Sequence, residues 1–65
     1  MNSKVEKNVH TEEEKIASIR VLGEAYLREK KYAAAYKNLK EAEKLAPKDP
    51  HVHFALGIFY YEKEN

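Results

Sequence analysis

Few side chains in this chain could act on a substrate or hold a metal. There are three histidines, His10, His51 and His53, and no cysteine. Without cysteine there is no thiolate nucleophile, no soft metal ligand and no disulfide. His51 and His53 stand two apart, so on a helix their side chains point about 160° away from each other. Ligation from one helix needs i, i+4 spacing or distant partners, so no metal site is expected. Ser3 and Ser18 have no histidine and acid spaced to activate a hydroxyl. The glycines, Gly23 and Gly57, both fall inside helical patterns, which leaves no Gly-rich phosphate loop. Paired acids for hydrolysis need a cleft, and three short helices do not readily build one. No catalytic residue, cofactor or metal ligand is therefore expected, and the chain is not read as an enzyme.

The remaining chemistry is charge. Arg20, Glu24 and Arg28 recur every four residues, on one helix face, where ion pairs contribute a few tenths of a kcal/mol each. They read as a solvated ladder, with recognition of a charged peptide as the alternative. Lys plus Arg number 12 and Asp plus Glu 11, a balance that gives no field for steering toward nucleic acid or anionic lipid. No apolar run approaches the roughly 20 residues that span a bilayer. The first eight residues hold no apolar signal core. The compartment stays unknown, with the cytoplasm as the default.

Three helices must position these groups. Residues 1–11 are polar and without period, and read as a flexible N-terminal tail. Thr11 can cap a helix while Glu14 closes a capping box, and Glu12, Glu13 and Glu14 sit where the helix dipole favours them. Ile16, Ile19, Leu22, Gly23 and Tyr26 then recur at helical spacing, which predicts a helix over 12–29. Glu29-Lys30-Lys31 is a short turn. Tyr32, Ala35, Tyr36, Leu39, Ala42 and Ala46 form a second stripe, over 32–46, which Pro47 stops. Asp49 caps and Pro50 opens a third helix, over 50–64. No segment alternates as a strand does, so the class is all-α.

The chain repeats itself. Leu22-Gly23 and Tyr26 return as Leu56-Gly57 and Tyr60, at an offset of 34 residues. Glycine within a helix costs about 1 kcal/mol against alanine. Two glycines at equivalent places therefore suggest one shared reason, a neighbouring helix passing too close for a side chain.

On these residues the sequence resembles the tetratricopeptide repeat (TPR) family, whose unit is a 34-residue antiparallel helix–turn–helix. The first unit would be residues 16–49. Ile19, Leu22, Gly23, Tyr26, Tyr32, Ala35, Leu39, Ala42 and Pro47 match its motif. The second unit would supply its first helix, 50–65, with Leu56, Gly57 and Tyr60. Ile19 and His53 stand where the family often has tryptophan, Lys30 and Glu64 where it often has glycine, and Glu43 where an apolar residue is common. His53, in the place of Ile19, is expected to be a partly buried core residue whose protonation near about pH 6 would weaken the core.

The resemblance implies a protein-interaction scaffold that binds a partner protein or peptide along the concave face of the first helix of each unit. Carried onto this sequence, the groove residues are Ala17, Arg20, Glu24, Leu27 and Arg28, then His51, Phe54, Ile58, Tyr61 and Glu62. Some members clamp the C-terminal carboxylate of heat-shock chaperones. Arg20 suits that role, but Glu24 would repel a carboxylate and Ala55 offers no donor, so clamping is not expected here.

The third helix carries apolar residues nearly all the way round, from Val52 to Tyr61, and two helices cover only part of it. The chain is therefore expected to be a piece of a longer repeat protein. It is also expected to form a homo-oligomer, a dimer or helix-swapped assembly, through that helix. The alternative function is accordingly a structural self-assembly element.

Overall fold

Thr11 starts the first helix as its composition requires. The Glu14 N–H donates to Thr11 Oγ1 at 3.1 Å, and the Thr11 N–H donates back to Glu14 Oε1 at 3.2 Å. That reciprocal pair satisfies two donors that no helical carbonyl can reach. The computed structural model describes residues 11–64. Apart from Thr11, the expected tail lies outside them. Three helices follow, α1 over Glu12–Arg28, α2 over Tyr32–Leu45 and α3 over Pro50–Glu64, and the described residues contain no strand.

The first two helices each end one residue earlier than the sequence pattern suggests, for local reasons. At the end of α1 the Lys30 N–H donates to the Leu27 carbonyl and the Lys31 N–H to the Tyr26 carbonyl, both at 2.9 Å. This is the paired closure that a left-handed residue makes at a helix C-terminus. Lys30 is that residue, with φ 62°. A lysine thus occupies a conformation that normally selects glycine. At the end of α2, Ala46 leaves helical geometry with φ −141°. The Asp49 N–H then closes a turn on the Ala46 carbonyl at 3.1 Å, with Pro47 at its second position. Asp49 Oδ1 accepts from the His51 N–H at 2.8 Å and so caps α3.

The middle helix carries the packing. Ala35, Leu39 and Ala42 form a fully buried stripe on α2, and Val52, Ala55, Leu56 and Phe59 of α3 and Leu27 of α1 complete the core. Ile16, Ile19, Tyr26, Tyr32 and Ile58 pack half-buried around it. Leu39 and Val52 are the largest side chains wholly removed from water, each contributing about 1.5–3 kcal/mol through burial. α2 touches α1 and α3 extensively, whereas α1 and α3 touch each other only lightly. Four aromatic rings reinforce the α2–α3 seam. Phe59 lies 5.2 Å from Tyr36 and 6.2 Å from Tyr32, and Tyr60 lies 6.4 Å from Tyr36. Such ring pairs contribute about 0.5–1.5 kcal/mol beyond their area.

Several of the residues that match the repeat motif lie outside the core. Leu22, Pro47, Gly57 and Tyr60 are exposed, although the Tyr60 ring keeps its contact with Tyr36. His53 is exposed too, its ring nitrogen held by the Pro47 carbonyl, so it is not the partly buried core residue expected. The shared reason inferred for the two glycines holds at one of them. A Cβ on Gly23 would meet Leu39 at 2.8 Å, whereas one on Gly57 would meet nothing within 4 Å.

Candidate functional site

Since α1 and α3 both rest on α2 and barely meet, a depression of about 270 Å3 runs between them. Glu24, Leu27 and Arg28 line it from α1, one helical turn wide. Phe54, Ala55, Ile58 and Glu62 line it from α3, at the three- and four-residue spacing of one helix face. Leu27 and Ala55 are buried and form its floor, and Ile58 is half-buried above them. Leu27 thus serves the core and the groove at once, and its exposed area is small. Phe54 stands at the edge, 71% exposed.

The rim is charged and already organised. Arg20 Nη1 donates to Glu24 Oε2 at 3.0 Å, an i, i+4 pair across partly buried groups. Of the expected three-residue ladder this is the rung that forms; Arg28 makes no ion pair among the described residues. Arg20 Nε is buried without a hydrogen-bond partner among them. On the opposite wall the Tyr32 hydroxyl donates to Glu62 Oε1 at 3.3 Å, which fixes that carboxylate from α2. The site therefore offers an apolar floor between one cation and two held carboxylates, which suits an apolar side chain with a polar or charged neighbour.

Of the residues singled out from the sequence, Glu24, Leu27, Arg28, Phe54 and Ile58 come together here. Glu62 lies here too, and Ala55 joins them as floor. Arg20 reaches the groove only through Glu24. His51 sits exposed in the first turn of α3, Ala17 lines a separate shallow surface of α1 with Val21 and Leu22, and Tyr61 is exposed on α3 beyond the groove. The sequence reading missed the aromatic cluster of Tyr32, Tyr36, Phe59 and Tyr60. Its signal was present, since Tyr32 and Tyr36 are four apart on α2 and so share the face that meets α3. Lys63 lies over the Tyr32 ring and Lys40 over that of Tyr36, at 5.9 and 5.8 Å.

Lys40 also pairs with Glu43 at 2.7 Å. Their hydrogen bond raises the lysine above its usual range and lowers the carboxyl below its own. Partial burial pushes the Tyr60 hydroxyl up, and a hydrogen bond with Tyr36 acts in the same direction. None of these groups faces the groove. Among the described residues no three histidines and acids cluster as a metal site would need, and no helix is long and apolar enough to cross a membrane.

A family model described as TPR repeat matches residues 23–64. No curated protein and no solved structure matches the chain. The 34-residue offset that carries Leu22-Gly23 onto Leu56-Gly57 is thus the period of this repeat, and the chain belongs to the TPR repeat family.

Proposed function

We propose that this chain is a non-catalytic protein-interaction module that holds a partner peptide in the groove between α1 and α3. The observation that carries the reading is the depression itself. It draws Leu27, Ala55 and Ile58 into one apolar floor and sets Glu24, Arg28 and Glu62 around it. A peptide that inserts one aliphatic or aromatic side chain, with a charged residue beside it, meets both features. TPR repeats are in general protein-interaction modules, which supports a protein partner. Self-assembly through α3 is the second reading, favoured by the exposure of Phe54 and Tyr60.

The test is selection from a displayed library of random peptides on the whole chain, followed by the same selection on Ile58→Arg. A half-buried residue at the groove wall tolerates the long arginine stem while its charge spoils the floor. Peptides with an apolar anchor should be enriched on the parent chain and lose about tenfold or more in affinity on the variant, as a loss at a groove anchor does. No enrichment, or equal binding to a variant with unchanged helical circular dichroism, would refute the reading.

A further inference from the structure

Gly57 has no packing reason among the described residues. A Cβ built on it meets open space, yet a mid-helix glycine costs about 1 kcal/mol against alanine. At Gly23 the same residue is explained, because α2 passes so close that a Cβ would lie 2.8 Å from Leu39. The offset of 34 extends this comparison along both helices. Ile16, Ile19, Arg20, Gly23, Tyr26 and Leu27 of α1 correspond to Pro50, His53, Phe54, Gly57, Tyr60 and Tyr61 of α3. The first set is buried or half-buried, and every member of the second is exposed. α3 therefore leaves largely exposed the stripe with which α1 holds an antiparallel helix, with the Tyr60 ring touching Tyr36 at one edge and the His53 ring held by the Pro47 carbonyl.

That stripe is also complementary to itself. Pro50, His53, Phe54, Gly57, Tyr60, Tyr61 and Glu64 lie three, four and seven residues either side of Gly57, all within about 60° of one line down the helix. A two-fold axis at Gly57 would lay two α3 helices antiparallel, with Phe54 of each copy against Tyr60 of the other, and His53 against Tyr61. A symmetric interface requires such reciprocal contacts. From Pro50 to Tyr61 there is no Asp, Glu, Lys or Arg, so no like charges oppose each other across the axis. At either end the Glu64 carboxylate falls beside the N-terminus of the other copy's α3, where the helix dipole favours an anion. The absent Cβ lets the two axes approach at the crossing.

The geometry points to a homodimer of this chain, formed by antiparallel α3 helices crossing at Gly57. It gives the self-assembly reading a specific surface, which shares Phe54 with the groove but leaves out the floor residues Leu27 of α1 and Ala55 of α3. The experiment is light scattering of the whole chain behind a sizing column over a roughly hundredfold concentration range up to on the order of a millimolar, which spans weak association. Gly57→Glu and Val21→Glu are run beside it. The dimer mass should appear at the upper concentrations. Gly57→Glu should raise the dissociation constant by about tenfold or more with helical circular dichroism retained, since its new Cβ meets open space in the monomer. Val21→Glu, at an exposed position of α1 away from both surfaces, should dimerise as the parent does. A monomer throughout, or assembly unchanged by Gly57→Glu, as when copies meet through Val21 and Leu22 instead, would overturn the proposal while leaving the peptide-binding reading intact.

Discussion

The α-carbon of Gly23 lies so close to Leu39 that a Cβ there would stand 2.8 Å from Leu39 Cδ2 and 2.9 Å from its Cγ. Leu39 is wholly buried between Ala35 and Ala42 on the same stripe, so it cannot swing aside into water. Asn38 limits the other direction, at 3.3 Å from the same point, and its side-chain amide donates to the Ala34 carbonyl at 2.9 Å. Gly23→Ala should therefore destabilise the chain by about 1–3 kcal/mol, the usual cost of overpacking. Gly57→Ala, compared at a dilution where the mass is that of a monomer, should stabilise it by about 1 kcal/mol through helix propensity alone. Urea unfolding followed by circular dichroism reads both. Equal effects of the two substitutions would contradict this account of the seam.

Truncating Leu39 tests the same contact from the other side. Leu39→Ala removes the largest fully buried side chain of α2 and should cost about 2–5 kcal/mol. A domain of this size holds only about 3–5 kcal/mol in its core, so the variant should be largely unfolded at room temperature. A melting curve that stays cooperative near the parent's midpoint would show that the core rests elsewhere.

The left-handed lysine is a removable strain. Lys30 closes α1 with φ 62°, where a side chain costs about 1–2 kcal/mol and glycine is free of that penalty. Lys30→Gly should raise the stability by about 1 kcal/mol and leave the mass unchanged, with part of the gain offset by the greater freedom of the unfolded chain. Lys30→Val should do the reverse, because a β-branched residue suits that conformation least.

Two pH effects follow from the pairs on α2 and α3. The Lys40 hydrogen bond lowers the Glu43 carboxyl, so its stabilising share is present above the ordinary carboxylate range and is lost as pH falls through the lowered value. The melting difference between the parent and Glu43→Gln should accordingly close in acid. It should be modest throughout, since the pair is solvent-facing. Tyr60 is raised, so its share is present below the ordinary tyrosine range and lost as pH rises through the raised value. In a phenolate absorbance titration, Tyr60→Phe should remove an ionisation that lies above the ordinary tyrosine range; a titration unchanged in that region would contradict the raised value.

Local order was legible in the chain alone. Thr11 with Glu14, the periodic apolar residues of α1 and α2, Pro47 as a stop and Asp49-Pro50 as a start act within a few residues of themselves. Capping, proline geometry and helical period are short-range effects that no distant contact needs to supply. The 34-residue repeat of Leu-Gly and Tyr likewise placed the chain in its family and set the all-α class. What only the tertiary structure decided is which copy of each repeated residue finds a neighbour. Gly23 and Gly57, Tyr26 and Tyr60, and Ile19 and His53 occupy the same positions of one motif, yet the first of each pair is covered and the second is exposed. The cover is α2, which lies against the inner face of α1 and reaches α3 from its other side. Burial depends on the bodies present around a residue, and a period in the sequence carries no information about that.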